Sequence, residues 1–199
     1  MTDIIRAAQI LYAAEKNLKQ TGPLTEIFPD MTLEDAKEVQ ALNIKARLQD
    51  GERQIGYKIG LTSKAMQKLI GVDAPDFGIL TDAMLIREGD IQPVEKYLQP
   101  KVEAELTFCL SEELKGPGVS IADVYRATDY VVPSLELVDS RIKDWKVKLA
   151  DTVADNGSAA GIVLGSGMTC IEDIDMRLTG MIFEKNGELA GSGADAEVL

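Results

Sequence analysis

Residues 101–110 read Lys101-Val102-Glu103-Ala104-Glu105-Leu106-Thr107-Phe108-Cys109-Leu110. Apolar residues occupy every second position, so the stretch predicts a β-strand with one apolar and one polar face. Glu103 and Glu105 share the polar face, about 6.5 to 7 Å apart at their roots, from where both carboxylates can converge on one ion. The alternative interpretation is an edge strand on which the two glutamates are simply hydrated.

A third carboxylate, Glu136, interrupts the apolar run of residues 130–138, which is rich in strand-forming residues and broken once by Pro133. A carboxylate in such surroundings needs a partner, because burying an unpaired charge is costly. Three carboxylates from two strands would make a facial set for one hard cation. Because oxygen ligands suit hard ions, the pattern favours magnesium or manganese over zinc or copper.

Lys58 lies between Gly56 and Gly60 on one face of another predicted strand, whose other face is apolar. Glycine within a strand often marks the close approach of a ligand or of another backbone. A lysine in that place can bind a substrate carboxylate or, when desolvated, exchange a proton; a surface lysine beside a tight packing contact is the alternative. Asp76, in a loop with proline and glycine, and residues 155–158 both have ordinary turn compositions.

The rest of the chain predicts packing elements. A helical stripe runs through Ile4, Ala7, Ala8, Leu11, Ala14 and Leu18. A second helix begins at a capping box formed by Thr32 and Asp35, turns Ala36, Val39, Leu42 and Ala46 inward, and ends near Asp50. A short helix is also expected, capped by Thr62 or Ser63, containing Ala65, Met66 and Leu69 and ending at Gly71. Ser120 is expected to open another helix. Residues 161–164 predict a strand, and Asn186-Gly187 predicts the turn of a hairpin.

Composition excludes several classes of function. The 199 residues carry a formal net charge of −12 and no histidine, which rules out Ser-His-Asp and Cys-His catalysis and imidazole metal sites. The acidic balance argues against nucleic acid and anionic membranes as partners. The amino terminus does not resemble a signal peptide, and no run of apolar residues is long enough to span a membrane. The two cysteines, Cys109 and Cys170, lie far apart in the sequence. We therefore expect a cytoplasmic protein whose two cysteines remain thiols.

Five stretches resemble the 2-keto-4-pentenoate hydratase and 4-oxalocrotonate decarboxylase family of the fumarylacetoacetate hydrolase superfamily, the enzymes of meta-cleavage pathways for aromatic breakdown. They are residues 56–63, 71–78, 99–105, 135–141 and 152–156. These motifs are long, ordered and spread over most of the chain, so together they are far more specific than any single short motif.

The resemblance implies roles for particular residues. It assigns magnesium or manganese binding to Glu103, Glu105 and Glu136. It assigns proton handling to Lys58 and Asp76, with Lys58 also available to the substrate, and it places Ser158 near the substrate.

The resemblance also implies an architecture. We expect a mixed α/β (α+β) fold in one catalytic domain, residues 1–199. A helical N-terminal region, residues 1–52, would pack on a twisted, partly barrel-like β domain of the fumarylacetoacetate hydrolase type, residues 53–199, in a homo-oligomer. Members of the family continue beyond the equivalent of Leu199, so the expectation includes a C-terminal part that is missing from this chain.

The implied reaction is the hydration of 2-hydroxypenta-2,4-dienoate, a small 2-oxo acid in its enol form, to 4-hydroxy-2-oxopentanoate. Residues 76–78 and 140–146 resemble the hydratases, whereas residues 114–118 resemble the alternative, a 4-oxalocrotonate decarboxylase. Another alternative is a non-catalytic partner subunit associated with a homologous hydratase or decarboxylase. Acylpyruvate hydrolysis is disfavoured, because the chain lacks the histidine expected for activating water.

Overall fold

The computed structural model describes residues 2–64, 67–68, 72, 74–176 and 178–194 and confirms a mixed α/β chain. Its helices are α1 (Ile4–Lys16), α2 (Leu24–Ile27), α3 (Leu33–Gln49), α4 (Ile121–Ala127) and α5 (Leu149–Ala154). Its strands are β1 (Gln54–Gly60), β2 (Asp76–Thr81), β3 (Leu85–Ile86), β4 (Lys101–Leu110), β5 (Thr128–Val138), β6 (Ala159–Leu164), β7 (Gly180–Lys185) and β8 (Glu188–Ala194). Short 3-10 turns cover Asp82–Met84, Val94–Lys96, Lys143–Trp145, Asn156–Ser158 and Ile171–Asp173.

Helix α1 follows the predicted stripe and buries Ala7, Ala8, Leu11 and Ala14. Leu18 does not belong to this stripe: it lies beyond the end of the helix, has a φ of 48° and is 48% exposed. Of the short helix expected after Thr62, the residues Ala65, Met66, Leu69 and Gly71 lie outside the described residues. Among those described, no helix combines the length and the apolar character that a membrane span requires.

Helix α3 begins at the predicted capping box, but its buried face is rotated from the expected one. Ala36 and Val39 are buried as predicted, whereas Leu42 is 38% exposed. Gln40 and Ile44 are buried instead. A glutamine is tolerated there because its side-chain amide finds hydrogen-bond acceptors inside the protein.

The main apolar core lies among the helices. Residues from α1, α2, α3 and α5 pack together with the fully buried Ile142. Asp151 in α5 is also buried, and its carboxylate accepts hydrogen bonds from the backbone nitrogen of Thr25 at 2.9 Å and from the Thr25 hydroxyl at 2.8 Å. This contact joins α2 to α5 across 126 residues of sequence.

The described strands form three open sheets. A four-stranded sheet has the order β3-β6-β5-β4, with β4 antiparallel to β5 at one edge. Strands β1 and β2 form a second, antiparallel sheet, and β7 and β8 form the predicted hairpin, with Asn186 and Gly187 at positive φ in the turn. No closed barrel occurs among these strands, so the barrel-like part of the expected fold is not seen in the portion of the chain that is described.

Strand β4 has the predicted bounds, and β5 begins two residues before the predicted run.

The apolar face of β1 is solvent-exposed: Ile55, Tyr57 and Ile59 are 49%, 59% and 55% exposed. Lys58 therefore lies on the inner face, where its side chain is only 13% exposed.

A buried ion pair joins the segment after β5 to the turn between α5 and β6. The Arg141 Nε donates to Asp155 Oδ1 at 2.5 Å, with the side chains 7% and 0% exposed. Asp155 also accepts from the hydroxyls of Ser140 and Ser158, at 3.2 and 2.9 Å. Arg141 in turn donates to backbone carbonyls at Asp139 and Ala159.

Replacing Asp155 with alanine should destabilise the protein by about 3 to 5 kcal/mol, because the Arg141 guanidinium would stay buried without its partner. Urea unfolding at neutral pH measures the loss. Asp82→Ala is the control: it removes an ion pair to Arg53, whose side chain is 82% exposed, and should cost much less. Equal losses in the two variants would contradict the structural importance of the buried pair.

Candidate active site

Three glutamates converge on the polar face of the four-stranded sheet. In the register of β4 and β5, Glu103 lies directly opposite Glu136, and Glu105 lies opposite Ser134. One carboxylate oxygen from each glutamate lies within 4.8 Å of those of the other two. Glu103 and Glu105 are exposed on an edge strand, as the alternative interpretation held, but Glu136 is only 5% exposed. The three thus form one cluster between solvent and the protein interior.

The donors of this cluster fit a hard divalent cation. The Oε1 atom of Glu136 is buried and has no hydrogen-bond partner among the described residues. Burial raises the pKa of Glu136 to about 7; Lys58 opposes this shift, while Glu103 and Glu105 add to it. Close, partly desolvated carboxylates repel one another, and a cation between them removes that cost.

Lys58 reaches this cluster from the neighbouring sheet. Its Nζ lies 3.4 Å from Glu136 Oε2, and both side chains are largely buried. In the register of β1 and β2, Lys58 lies opposite Gly78, so no side chain on the partner strand covers its stem. The ammonium group is therefore held at the buried side of the three carboxylates.

Asp76 does not lie in a loop, as its proline- and glycine-containing surroundings suggested. It is the first residue of β2, pairs with Gly60 of β1 and is 6% exposed. A side chain at Gly60 would force the Asp76 carboxylate to move, because a Cβ there would lie 2.2 Å from Asp76 Oδ1 and 3.6 Å from Lys58 Nζ. Burial raises the pKa of Asp76, against the opposing charge of Lys58, and its Oδ2 has no hydrogen-bond partner among the described residues.

Ser158 lies in the 3-10 turn before β6 and is 3% exposed. Its hydroxyl donates to Asp155, so the structure places it in the buried network of Arg141. A contact between Ser158 and a substrate stays a prediction.

Two residues to which the sequence analysis assigned no role, Asn156 and Gln40, hold the site together. The Asn156 side chain accepts from the Ile79 nitrogen at 2.8 Å and donates to the Ile79 carbonyl at 2.9 Å. Gln40 donates to Asn156 Oδ1 at 3.0 Å and to the Phe77 carbonyl at 2.9 Å. Asn156 precedes a glycine, which favours an ordinary turn, and nothing in the pattern of α3 marks Gln40.

The stability of the metal-free protein should fall as pH rises from about 4.5 to 8. Glu136 has a pKa of about 7 in the folded state and an ordinary value of 4.5, so the folded protein holds this proton more tightly than the unfolded chain does. Raising the pH removes the proton and should cost about 3 kcal/mol of unfolding free energy.

Urea unfolding in the presence of a chelator tests this dependence. Asp76 contributes with the same sign, so the comparison with Glu136→Gln isolates the single group. The wild-type protein should lose stability relative to this variant between pH 4.5 and 8. Parallel pH curves would contradict the raised pKa of Glu136.

Known proteins with sequences similar to this chain include hydratases and a decarboxylase. The 2-hydroxypent-2,4-dienoate hydratase of Pseudomonas putida is 47% identical over 190 residues, covering 95% of this chain and 86% of the relative. The 4-oxalocrotonate decarboxylase of Pseudomonas sp. (strain CF600) is 37% identical over 196 residues, covering 98% of this chain and 74% of the relative. No family model matches the chain.

A solved structure of a related enzyme supports the same family. The 4-oxalocrotonate decarboxylase from Pseudomonas putida G7, in complex with magnesium and adipate, superimposes with a TM-score of 0.93 at 37% identity, covering 100% of this chain and 76% of its own. The same enzyme was also solved with calcium and acetate. On sequence and on structure together, this chain belongs to the 2-keto-4-pentenoate hydratase and 4-oxalocrotonate decarboxylase family.

Proposed function

We propose that the protein is a metal-dependent hydro-lyase that converts 2-hydroxypenta-2,4-dienoate to 4-hydroxy-2-oxopentanoate in aromatic meta-cleavage catabolism. The single observation that carries this proposal is the pairing of Lys58 with Glu136 inside the carboxylate cluster. It puts a proton-carrying group beside a site for a hard cation, the combination that an enol-to-keto conversion of a 2-oxo acid requires.

Glu103, Glu105 and Glu136 are the residues that would hold the cation, magnesium or manganese. The bound ion would supply electrostatic stabilisation of the negative charge on the substrate's carboxylate and 2-oxygen. The magnesium and the dicarboxylate adipate in the structure of the related decarboxylase support this choice of ligand chemistry. Calcium in the second structure supports a hard, oxygen-ligated ion without separating magnesium from manganese.

Lys58 and Asp76 are proposed to move the protons. The Lys58 ammonium lies 3.4 Å from Glu136, and its charge also acts on Asp76. Its side chain is largely buried, so proton exchange with a bound substrate would be shielded from solvent. Ketonisation transfers the proton of the 2-hydroxyl group to the terminal carbon of the diene. Water then adds to C4 of the resulting enone, and a proton is delivered to C3. Ser158 is also proposed to lie near the substrate. It belongs to the same turn as Asn156, whose side chain is hydrogen-bonded to β2.

Hydration is favoured over decarboxylation by the comparisons. Relatives named as hydratases of 2-hydroxypentadienoate or 2-keto-4-pentenoate reach 45 to 47% identity, against 37% for the decarboxylase. The decarboxylase is the second candidate, because a solved decarboxylase shares the fold over the whole of this chain. It would use the same cluster to stabilise the enolate left after loss of carbon dioxide.

The deciding assay follows the ultraviolet absorbance of freshly generated 2-hydroxypenta-2,4-dienoate with magnesium or manganese and with chelator, while the product is identified by mass. Metal-dependent gain of one water supports the hydratase. Release of carbon dioxide from 4-oxalocrotonate, without hydration of the dienoate, supports the decarboxylase. A folded, metal-binding chain that turns over neither substrate alone, yet co-purifies with a homologous enzyme, supports the partner subunit.

The remaining features are proposed on the strength of family membership. We propose one catalytic domain, with a helical region over residues 1–52 and a β-rich region over residues 53–199 of the fumarylacetoacetate hydrolase type. We also propose that the enzyme works in the cytoplasm as a homo-oligomer. Light scattering of the purified protein measures its oligomeric state directly.

A further inference from the structure

The stem of Lys58 runs through a narrow slot between two glycine residues. A Cβ added to Gly157 would lie 2.7 Å from Lys58 Cε and 3.3 Å from Lys58 Cδ. A Cβ added to Gly78 would lie 3.1 Å from Lys58 Cγ and 2.4 Å from the carbonyl oxygen of Asn156. Gly56, two residues before Lys58, has nothing within 4 Å of such a Cβ. The tightest contacts around the lysine stem therefore come from the partner strand and from a distant turn, while Gly60 on the same strand approaches only the Nζ, at 3.6 Å from such a Cβ.

That turn, residues 156–158, has an uncommon backbone conformation. Asn156, Gly157 and Ser158 have φ values of 57°, 61° and 56°, three successive residues in the left-handed region. Left-handed conformations normally occur at single residues, since side chains other than glycine are strained there. A run of three persists only if its surroundings hold it.

The surrounding contacts fix both ends of the turn. The Asn156 amide group bonds to both backbone groups of Ile79, and Gln40 donates to the same amide. The Ser158 hydroxyl donates to the fully buried Asp155, and the Ser158 carbonyl accepts from the Asp139 nitrogen at 2.8 Å. Gly157, between these anchors, is pressed against Lys58 and has room for no side chain.

We propose that the left-handed turn 156–158 is a positioning device for Lys58, and that Gly157 is its positioning residue. Together with Gly78, Gly157 leaves the lysine stem one path, which ends with Nζ at 3.4 Å from Glu136 Oε2. The inference rests on the proposed function for its effect on turnover, but its structural part concerns this chain alone.

Gly157→Ala is the most direct test. The nearest contacts of the added methyl group would be Lys58 Cε and Cδ, and the next is the Gly78 nitrogen at 3.5 Å, an ordinary contact distance. Lys58 must therefore move while the backbone can remain in place. We expect kcat to fall about 10- to 100-fold, since misplacement by about 1 Å can cost that much. KM should change much less than kcat, because the three glutamates that would hold the cation are untouched.

Gly187→Ala is the matched control. Gly187 also has a positive φ, 79°, but nothing lies within 4 Å of an added Cβ, so alanine introduces similar backbone strain without a collision. This variant should keep wild-type kcat and KM. If both glycine variants lose kcat equally, strain rather than the position of Lys58 explains the loss and the proposal is wrong.

A double-mutant cycle supplies a readout that needs no substrate. In urea unfolding, Gly157→Ala should lower the midpoint in the wild-type background and lower it less when Lys58→Ala is also present, because no lysine stem remains to be displaced. Gly187→Ala should lower the midpoint equally in both backgrounds. If the shift caused by Gly157→Ala is the same with and without Lys58, the turn does not position the lysine. This result is independent of whether the protein hydrates the dienoate, so failure of the proposed function and failure of the positioning role are distinguishable.

Discussion

Glutamine in place of Glu136 is expected to abolish metal-dependent turnover, with kcat/KM lower by about 1,000-fold or more. Glu136 is the buried member of the carboxylate cluster, and its Oε1 has no hydrogen-bond partner among the described residues. The amide keeps the size of the side chain but removes the charge that would face the cation. Isothermal titration with magnesium or manganese should show affinity weaker by about 100-fold, and the ultraviolet assay of the dienoate measures turnover.

The variant should remain folded, which separates loss of function from loss of structure. Without metal at pH 8 it should be more stable than the wild-type protein, because the wild-type carboxylate is then charged against its environment. Glu184→Gln on β7 is the matched control, an exposed glutamate on a strand of a different sheet. Wild-type metal affinity and turnover in Glu136→Gln, and likewise in Glu105→Ala, would exclude the proposed ligand set.

Methionine in place of Lys58 should lower kcat by about 100- to 10,000-fold, the range that one positioned acid or base contributes. Methionine keeps the apolar part of the stem in the slot beside Gly157 and removes the ammonium group that lies against Glu136. Metal affinity should not weaken, because a positive charge has been taken away from the cation site. This separation of kcat from metal binding distinguishes Lys58 from the three glutamates.

Titration of metal and steady-state kinetics measure both quantities on one preparation. Lys185→Met on β7 is the control, since Lys185 is exposed at the end of the hairpin strand. Retention of wild-type kcat in Lys58→Met would remove the lysine from the proposed proton transfers. A parallel loss of metal affinity and kcat would instead assign it a role in organising the carboxylates.

The local sequence pattern correctly predicted the features that depend on a single strand or helix. Alternation over residues 101–110 predicted β4 with its observed bounds and put Glu103 and Glu105 on one face. The apolar run around Glu136 predicted a buried carboxylate, and the capping box predicted the start of α3. The residue types, three glutamates and a lysine without any histidine, limited the chemistry to a hard cation and proton transfer.

Pattern failed where a residue's surroundings come from distant parts of the chain. Asp76 was interpreted as a loop residue, but pairing of β2 with β1 makes it the buried start of a strand, in space that Gly60 leaves open. The inward face of α3 was misjudged because the partners of Gln40 lie 37 and 116 residues away. Such partners are chosen by packing, which no local periodicity encodes.

By itself, then, the sequence determined several strands, β4 and β5 among them, the side of β4 that carries the acids, and the family through its long motifs. Tertiary structure alone decided that Glu103 faces Glu136 across the strand pair, that Lys58 reaches them from another sheet, and that a left-handed turn closes on its stem. The physical reason is that periodicity fixes only the direction in which a side chain leaves its own backbone. Which groups meet there depends on strand register and on the close packing of elements far apart in the chain.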